Sequence, residues 1–475
     1  MTPFRWLRAT NLYLRLSLGA AILASLVACG GGGGGGGAAG VSGGSTALAS
    51  GYPFSPASCD VSGQRAWLRD YMNDQYFWFD RQGTANDSAS DMAAYLDSLL
   101  YKPTDRYSYS QSTSSFTQFF TEGKRTGYGY SLTSPTAGSL IVRFAEPLSP
   151  VGLAGLKRGD AIVSIDGQNA SNIISFGLPT VSSAGVPRAF TVSNPTDGTR
   201  SFSVNSDEYT LSPVLDYRML TASNGRRVGY LAYNEFISSS ASALATAIDH
   251  FRANAAQEVI LDMRYNGGGS TLVAQNLSHL LGGSALNGQV FAQYLYNSKY
   301  PSNTFVQRFG SSSYTTPLAG LSRLMVITSA NTASASELVI NNLRPYMSVI
   351  TVGATSFGKP YAFQPRDACS ITYNAVNVQT VNALGLGDYA NGIPATCSAF
   401  DDLTRPFGDP LETRTATALS YIATGACPLG SSREKTALAP ANTTQLATKN
   451  IANEAALGED GKALPSPRGV MLERP

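Results

Sequence analysis

The sequence predicts a multidomain α+β protein: an α/β layered core, an all-β domain before it, and a small helical segment before that. Three observations carry this. From about residue 209 onward, apolar strand-like runs alternate with helical spacing: Val228–Ala232, a helix near 240–255, Val259–Met263, a helix near 271–281, Leu324–Thr328, a helix near 335–343, and Ser348–Gly353. Residues 123–207 instead hold short alternating runs such as Leu140-Ile141-Val142-Arg143-Phe144, broken by Gly, Pro and Ser. Between 60 and 120, Trp67, Leu68, Tyr71 and Met72, then Met92, Tyr95, Leu96 and Leu99, fall at helical spacing. A chain of 475 residues is long enough for two or three such domains.

Taken in order, residues 1–28 read as a secretion signal. Arg5, Arg8 and Arg15 form the positive region, and Leu16–Ala28 is an apolar run of 13 residues, short for a bilayer span. The run ends Leu26-Val27-Ala28-Cys29, which resembles the bacterial lipobox, where the cysteine is lipidated and becomes the mature N-terminus. The expectation is a lipid anchor on Cys29 in the bacterial envelope, at the outer membrane facing the periplasm. Residues 29–50 are a Gly-rich linker, a suitable tether. The helical segment takes 51–122; within it Tyr76-Phe77-Trp78-Phe79 is read as core or interdomain packing. The β-domain takes 123–207 and the α/β core 208–430. Residues 431–475 lose periodicity and are expected to be a mobile tail.

Composition excludes several functions. Lys+Arg number 34 against 32 Asp+Glu, so no basic field recommends a nucleic-acid partner. Only two histidines, His250 and His279, are present. A multi-histidine metal centre is thereby disfavoured, and a Ser-His-Asp triad has few candidates. No metal and no cofactor are expected. Besides Cys29 there are four cysteines, Cys59, Cys369, Cys397 and Cys427. An even number in an exported chain suggests two disulfides, in any of three pairings. The favoured pairing is Cys369–Cys397, closing a local loop, with Cys59–Cys427 pinning the N-terminal segment to the end of the core.

Three core loops could carry chemistry. Arg264-Tyr265-Asn266-Gly267-Gly268-Gly269-Ser270 follows a buried strand, and its glycines leave amide N–H groups uncovered for an oxyanion. Asn331-Thr332-Ala333-Ser334-Ala335-Ser336-Glu337 opens a helix. Ser334 and Glu337 make an S-x-x-E capping box, and the helix dipole suits a nucleophile at Ser334. Thr355-Ser356-Phe357-Gly358-Lys359-Pro360, read with Gly353, is one residue short of a phosphate-binding P-loop. That reading fails on Pro360, which replaces the metal-binding hydroxyl, and on the order of the acidic strand and the Gly-Lys loop.

Together DMRYNGGG, TASASE and TSFGK resemble, in order, the motifs of the C-terminal processing (tail-specific) peptidases, with 25 residues from Ser334 to Lys359. Upstream, SPVGLAGLKRGDAIVSIDGQ at 149–168 resembles a PDZ domain, which is the family arrangement. The resemblance covers roughly residues 60–425. It implies a crotonase-like core, Ser334 as nucleophile, Lys359 as general base, and an oxyanion hole from Gly268 or Gly269 with Ala335. It also implies that Gly127, Tyr128, Gly129 and Tyr130 form the loop that binds a peptide's terminal carboxylate, with the peptide added as a strand. The partners implied are protein or peptide substrates, with no activating partner legible. Lys359 must then be desolvated to lower its pKa from about 10.4 to roughly 7–8. Two positions depart from the family pattern: Pro360 stands where Gly is usual, and Phe363 stands where a Gln is usual, with Gln364 one step later as the residue that would orient Lys359. Ser336 is the competing nucleophile. Ser432-Arg433-Glu434-Lys435 also fits S-x-x-K, but lies in the expected tail. The alternative function is a non-catalytic peptide-binding lipoprotein with a degenerate peptidase core.

Overall fold

A computed structural model describes residues 53–310, 315–429, 457, 459 and 470–472. The signal segment, Cys29, the Gly-rich linker and Ser432–Lys435 lie outside the described residues. Among the described residues no helix is long and apolar enough to cross a membrane.

The core is built on a six-stranded sheet. Its order is Val214–Thr221, Arg227–Tyr233, Glu258–Asp262, Arg323–Thr328, Ser348–Gly353, Cys397–Ser398. The first pair is antiparallel and every later pair parallel. The parallel strands are apolar on both faces because both are covered. Leu231, Leu261 and Val326 face a cluster shared with helices Ser240–Ala253, Thr271–Gly282 and Ala335–Leu343. Their neighbours Tyr230, Ile260, Met325 and Ile327 face helix Thr413–Thr424 through Ala418, Leu419 and Ile422. Beyond the three helices lies a second sheet that the sequence reading did not foresee. Its order is Phe305–Arg308, Val290–Tyr296, Val378–Val381, Tyr361–Phe363, Val470–Met471.

The helical segment folds as helices Val61–Gln75, Met92–Leu99 and Thr113–Phe120, the first two N-capped by Asp60 and Asp91. The apolar faces of the first two pack with Tyr373, Ala375 and Val376 of the core chain, and the third packs Phe119 and Phe120 with Tyr209, Leu211 and Ile237. The aromatic stretch packs between segments: the rings of Trp78 and Tyr361 are 4.8 Å apart. The 123–207 domain is a sheet of strands Tyr130–Thr133, Ile141–Ala145, Ala161–Ile165, Pro187–Asn194 and Gly198–Asn205, with short helices Pro150–Leu153 and Ala170–Phe176. The second helix is a correction to an all-β reading; Ala170 and Ile173 bury its inner face.

Two expectations are overturned. The disulfides are Cys59–Cys369 and Cys397–Cys427, not Cys59–Cys427 and Cys369–Cys397. Sheet topology is the reason. Strand Ile371–Asn374 pairs antiparallel with Tyr109–Ser112, which brings Cys369 to the helical segment. Helix Thr413–Thr424 covers the parallel sheet and delivers Cys427 to its edge strand, Cys397–Ser398. Nor is the tail wholly unattached. Val470–Met471 adds a parallel strand to Tyr361–Phe363, and Leu472 is buried in the core. Leu457 bridges to Leu132.

Candidate active site

Strands Glu258–Asp262, Arg323–Thr328 and Ser348–Gly353 are adjacent and parallel, so the loops after them emerge side by side at the carboxyl edge of the sheet. Ligand sites of open α/β sheets lie at that edge. These are the three loops singled out by sequence.

Ser334 stands at the entrance of helix Ala335–Leu343 with φ +64°, a left-handed backbone unusual for a residue with a side chain. It is fully buried, and among the described residues its Oγ has no hydrogen-bond partner. Ser336, the competitor, donates its hydroxyl to the Asn266 carbonyl at 3.1 Å and so serves as an anchor. The helix itself has no use for the first N–H, that of Ala335. Gly268 packs directly on the serine: a Cβ there would lie 2.8 Å from Ser334 Cβ and 3.0 Å from Ala335 N. Its φ of +104° also requires glycine. The Gly268 N–H donates to Asn266 Oδ1 at 2.9 Å, so this proposed oxyanion donor is engaged within its own loop. Gly269 (φ +139°) lies against Phe236, and its absent side chain lets the two backbones meet.

The loop is held from below by charge. Arg264 is buried and forms a bidentate pair with Glu412 at 2.8 and 2.9 Å while bonding Asp262 and Asp401. The three carboxylates hold its guanidinium in the charged form despite burial. Asp262 is thus engaged as a partner of Arg264. Arg158 of the β-domain joins the same cluster through Asp401 and Tyr265.

Glu337 is the residue that sequence reasoning undervalued. Its Oε2 accepts the Ser334 N–H and the Lys359 N–H, each at 2.8 Å. The two backbone nitrogens therefore lie within twice that distance of each other. Its Oε1 accepts the Gly358 N–H at 2.7 Å and the Ser356 hydroxyl. Burial raises its pKa, and these hydrogen bonds oppose the rise.

Lys359 is 1% exposed. Its Nζ donates to the Tyr107 carbonyl at 3.4 Å and lies 4.9 Å from the Phe363 ring centroid. No carboxylate reaches it within ion-pair distance among the described residues. Burial lowers its pKa to about 7, against the weaker pull of Asp105 and Glu337. Tyr107 also donates its hydroxyl to the Gly358 carbonyl at 2.8 Å, and Arg106 caps the Phe357 ring. The helical segment is thus the roof of the lysine, a role no local sequence signal announces.

Gln364 is not brought to Lys359. It is Phe363, the last residue of strand Tyr361–Phe363, whose ring lies beside the amine. The Gln364 N–H donates to Asn377 Oδ1, and its side chain does not bond the lysine. The Gly127–Tyr130 loop lies in the β-domain, where Tyr128 and Gly129 donate their N–H groups to the carboxylate of Glu459.

Residues 227–383, spanning all three loops, match the sequence model of peptidase family S41, and residues 63–109 match that of the peptidase S41 N-terminal domain. The chain thus carries an S41 peptidase segment and an S41 N-terminal segment. The S41 match thus includes both the sheet that carries the loops and most of the roof over Lys359. A carboxyl-terminal-processing protease of Picosynechococcus sp. is 26% identical over 351 residues, covering 68% of this chain and 78% of its own. The chloroplastic carboxyl-terminal-processing peptidase 2 of Arabidopsis thaliana is 27% identical over 253 residues, covering 50% of this chain and 46% of its own. A crystal structure from Bacteroides fragilis, described as of an S41 protease, superposes with a TM-score of 0.61 at 25% identity, covering 76% of this chain and 97% of its own. These likenesses give the chain the S41 fold and support a peptidase.

Proposed function

We propose that the protein is a serine endopeptidase in which Lys359 activates Ser334. The observation that carries this reading is the single carboxylate oxygen of Glu337, which holds both backbones while the amine sits in an apolar roof with its pKa lowered to about 7. An amine of that pKa is largely neutral above pH 7 and can accept a proton. Lys359 Nζ takes the Ser334 hydroxyl proton as Oγ attacks the scissile carbonyl carbon. The oxyanion is received by the N–H groups of Ala335 and Gly269, joined by Gly268 once its N–H leaves Asn266 Oδ1. The ammonium then protonates the departing amine, leaving an acyl-enzyme. Water, deprotonated by the regenerated amine, hydrolyses the ester and restores Ser334.

The 123–207 domain reads as a PDZ domain that captures a substrate's C-terminus on Gly127, Tyr128, Gly129 and Tyr130, in keeping with the relatives named for carboxyl-terminal processing. We place the protein in the bacterial envelope, lipid-anchored at Cys29 on the periplasmic side of the outer membrane. Two disulfides suit an oxidising compartment.

The test is cleavage of an unfolded protein by the purified enzyme. Ser334→Ala and Lys359→Ala should each lower turnover on the order of 10⁴-fold or more, with unchanged thermal unfolding in Ser334→Ala. Full activity in either variant would contradict the reading and leave a peptide-binding protein.

A further inference from the structure

The carboxylate-binding loop of the β-domain is already filled, by the chain itself. Both Glu459 carboxylate oxygens accept from the Tyr128 N–H, at 3.1 and 3.0 Å, and Oε1 also accepts from the Gly129 N–H. Gly127 makes room for the anion: a Cβ there would lie 2.8 Å from Glu459 Oε2. The Glu459 carbonyl accepts from the Tyr130 hydroxyl at 2.8 Å and from Arg188 Nη1 at 3.2 Å, and Arg188 is 3% exposed. Two residues earlier, Leu457 exchanges both backbone hydrogen bonds with Leu132, at 3.0 and 2.9 Å, antiparallel to strand Tyr130–Thr133. Its side chain packs on the β-domain core.

An extended backbone on the strand and a carboxylate on the loop amides are what a peptide ending in a free carboxylate would offer. Here an internal glutamate side chain supplies the anion. The same tail is fastened again downstream, where Val470–Met471 pairs with Tyr361–Phe363 and Leu472 is buried beside the strand that follows Lys359. A ligand tethered at both sides acts at an effective concentration far above that of a free peptide.

We propose that Leu457 and Glu459 are a tethered ligand of this groove, which a carboxylate-ended substrate must displace. The inference rests on the proposed peptide-capturing role of the β-domain. The test uses the full chain carrying Ser334→Ala, so cleavage plays no part. The probe is a fluorescent peptide of residues 453–460, acetylated and amidated at its ends. Glu459→Ala and, as a second variant, Leu457→Asp should each bind the probe about tenfold or more tighter than the parent, because the groove is vacated. A probe with Gln in place of Glu459 should not bind. Amide hydrogen exchange at Tyr128 and Gly129 should quicken in both variants, and excess probe should slow it again. Equal probe affinity for parent and variants, absence of binding included, overturns the inference, as does unchanged exchange at those two amides. Loss of proteolysis in other experiments would refute the Ser-Lys reading without touching this result.

Discussion

Glu337 and Lys359 are joined by a hydrogen bond from the lysine's own backbone N–H, not by an ion pair, and the accepting oxygen also holds the N–H of Ser334. The carboxylate thus fixes where the amine's chain begins without neutralising the amine. An ion pair to Nζ would hold the lysine charged and useless as a base.

Glu337→Gln should therefore damage both stability and turnover. An amide would turn an NH₂ toward two of the four donors now facing the carboxylate, leaving buried groups unsatisfied. We expect a loss of about 2–4 kcal/mol in denaturant unfolding. In kinetics, kcat should fall with KM little changed, since no substrate contact is removed.

Lys359 should make stability depend on pH in a defined window. Its folded pKa of about 7 lies below the ordinary lysine value of 10.5, so the unfolded chain binds the extra proton between them. Stability attributable to this residue should rise from pH 7 to about 10, and the full penalty, on the order of 4 kcal/mol, should apply below pH 7. Lys359→Met removes that penalty. Unfolding measured at pH 6 and pH 9 should show the variant gaining more over the parent at pH 6.

Gly268→Ala should silence the enzyme while leaving most of the fold. The added methyl would meet Ser334 Cβ and the Ala335 amide, in a backbone conformation disfavoured for alanine. Stability should drop by about 1–3 kcal/mol, and turnover by a hundredfold or more on the oxyanion-donor scale. Thermal unfolding and a peptidase assay on the same preparation separate the two effects.

The disulfide Cys59–Cys369 links positions 310 residues apart and ties down the segment that roofs Lys359. Non-reducing peptide mapping should recover Cys59 with Cys369 and Cys397 with Cys427. Replacing Cys59 and Cys369 by Ser should cost about 2–5 kcal/mol. Limited proteolysis should then open the 53–109 segment before the parallel-sheet core.

Sequence alone placed Ser334, Lys359 and the Gly268–Gly269 turn at the ends of buried strands, because apolar runs followed by glycine and helix-cap residues are local signals. Glu337 was legible only as a capping residue, since S-x-x-E says nothing about what a carboxylate accepts from a loop some twenty residues away. Tyr107 was silent for a similar reason: its contact with Lys359 spans 252 residues. The cysteine pairing depended on which strand meets which, and local loop closure was the wrong guide. Gln364 failed because it falls just past the end of strand Tyr361–Phe363, where its N–H is taken by Asn377 Oδ1. The second sheet escaped notice because strands such as Tyr361–Phe363 are three residues long and acquire their identity only from partners.

Activation of Ser334 by Lys359 is tested by the rate at which a fluorophosphonate modifies the protein across pH, with the modified residue mapped by mass. A single adduct on Ser334 is expected, forming faster as pH rises through about 7 and abolished by Lys359→Ala in a folded protein. An adduct on Ser336 or elsewhere, or the same rate without Lys359, would contradict it.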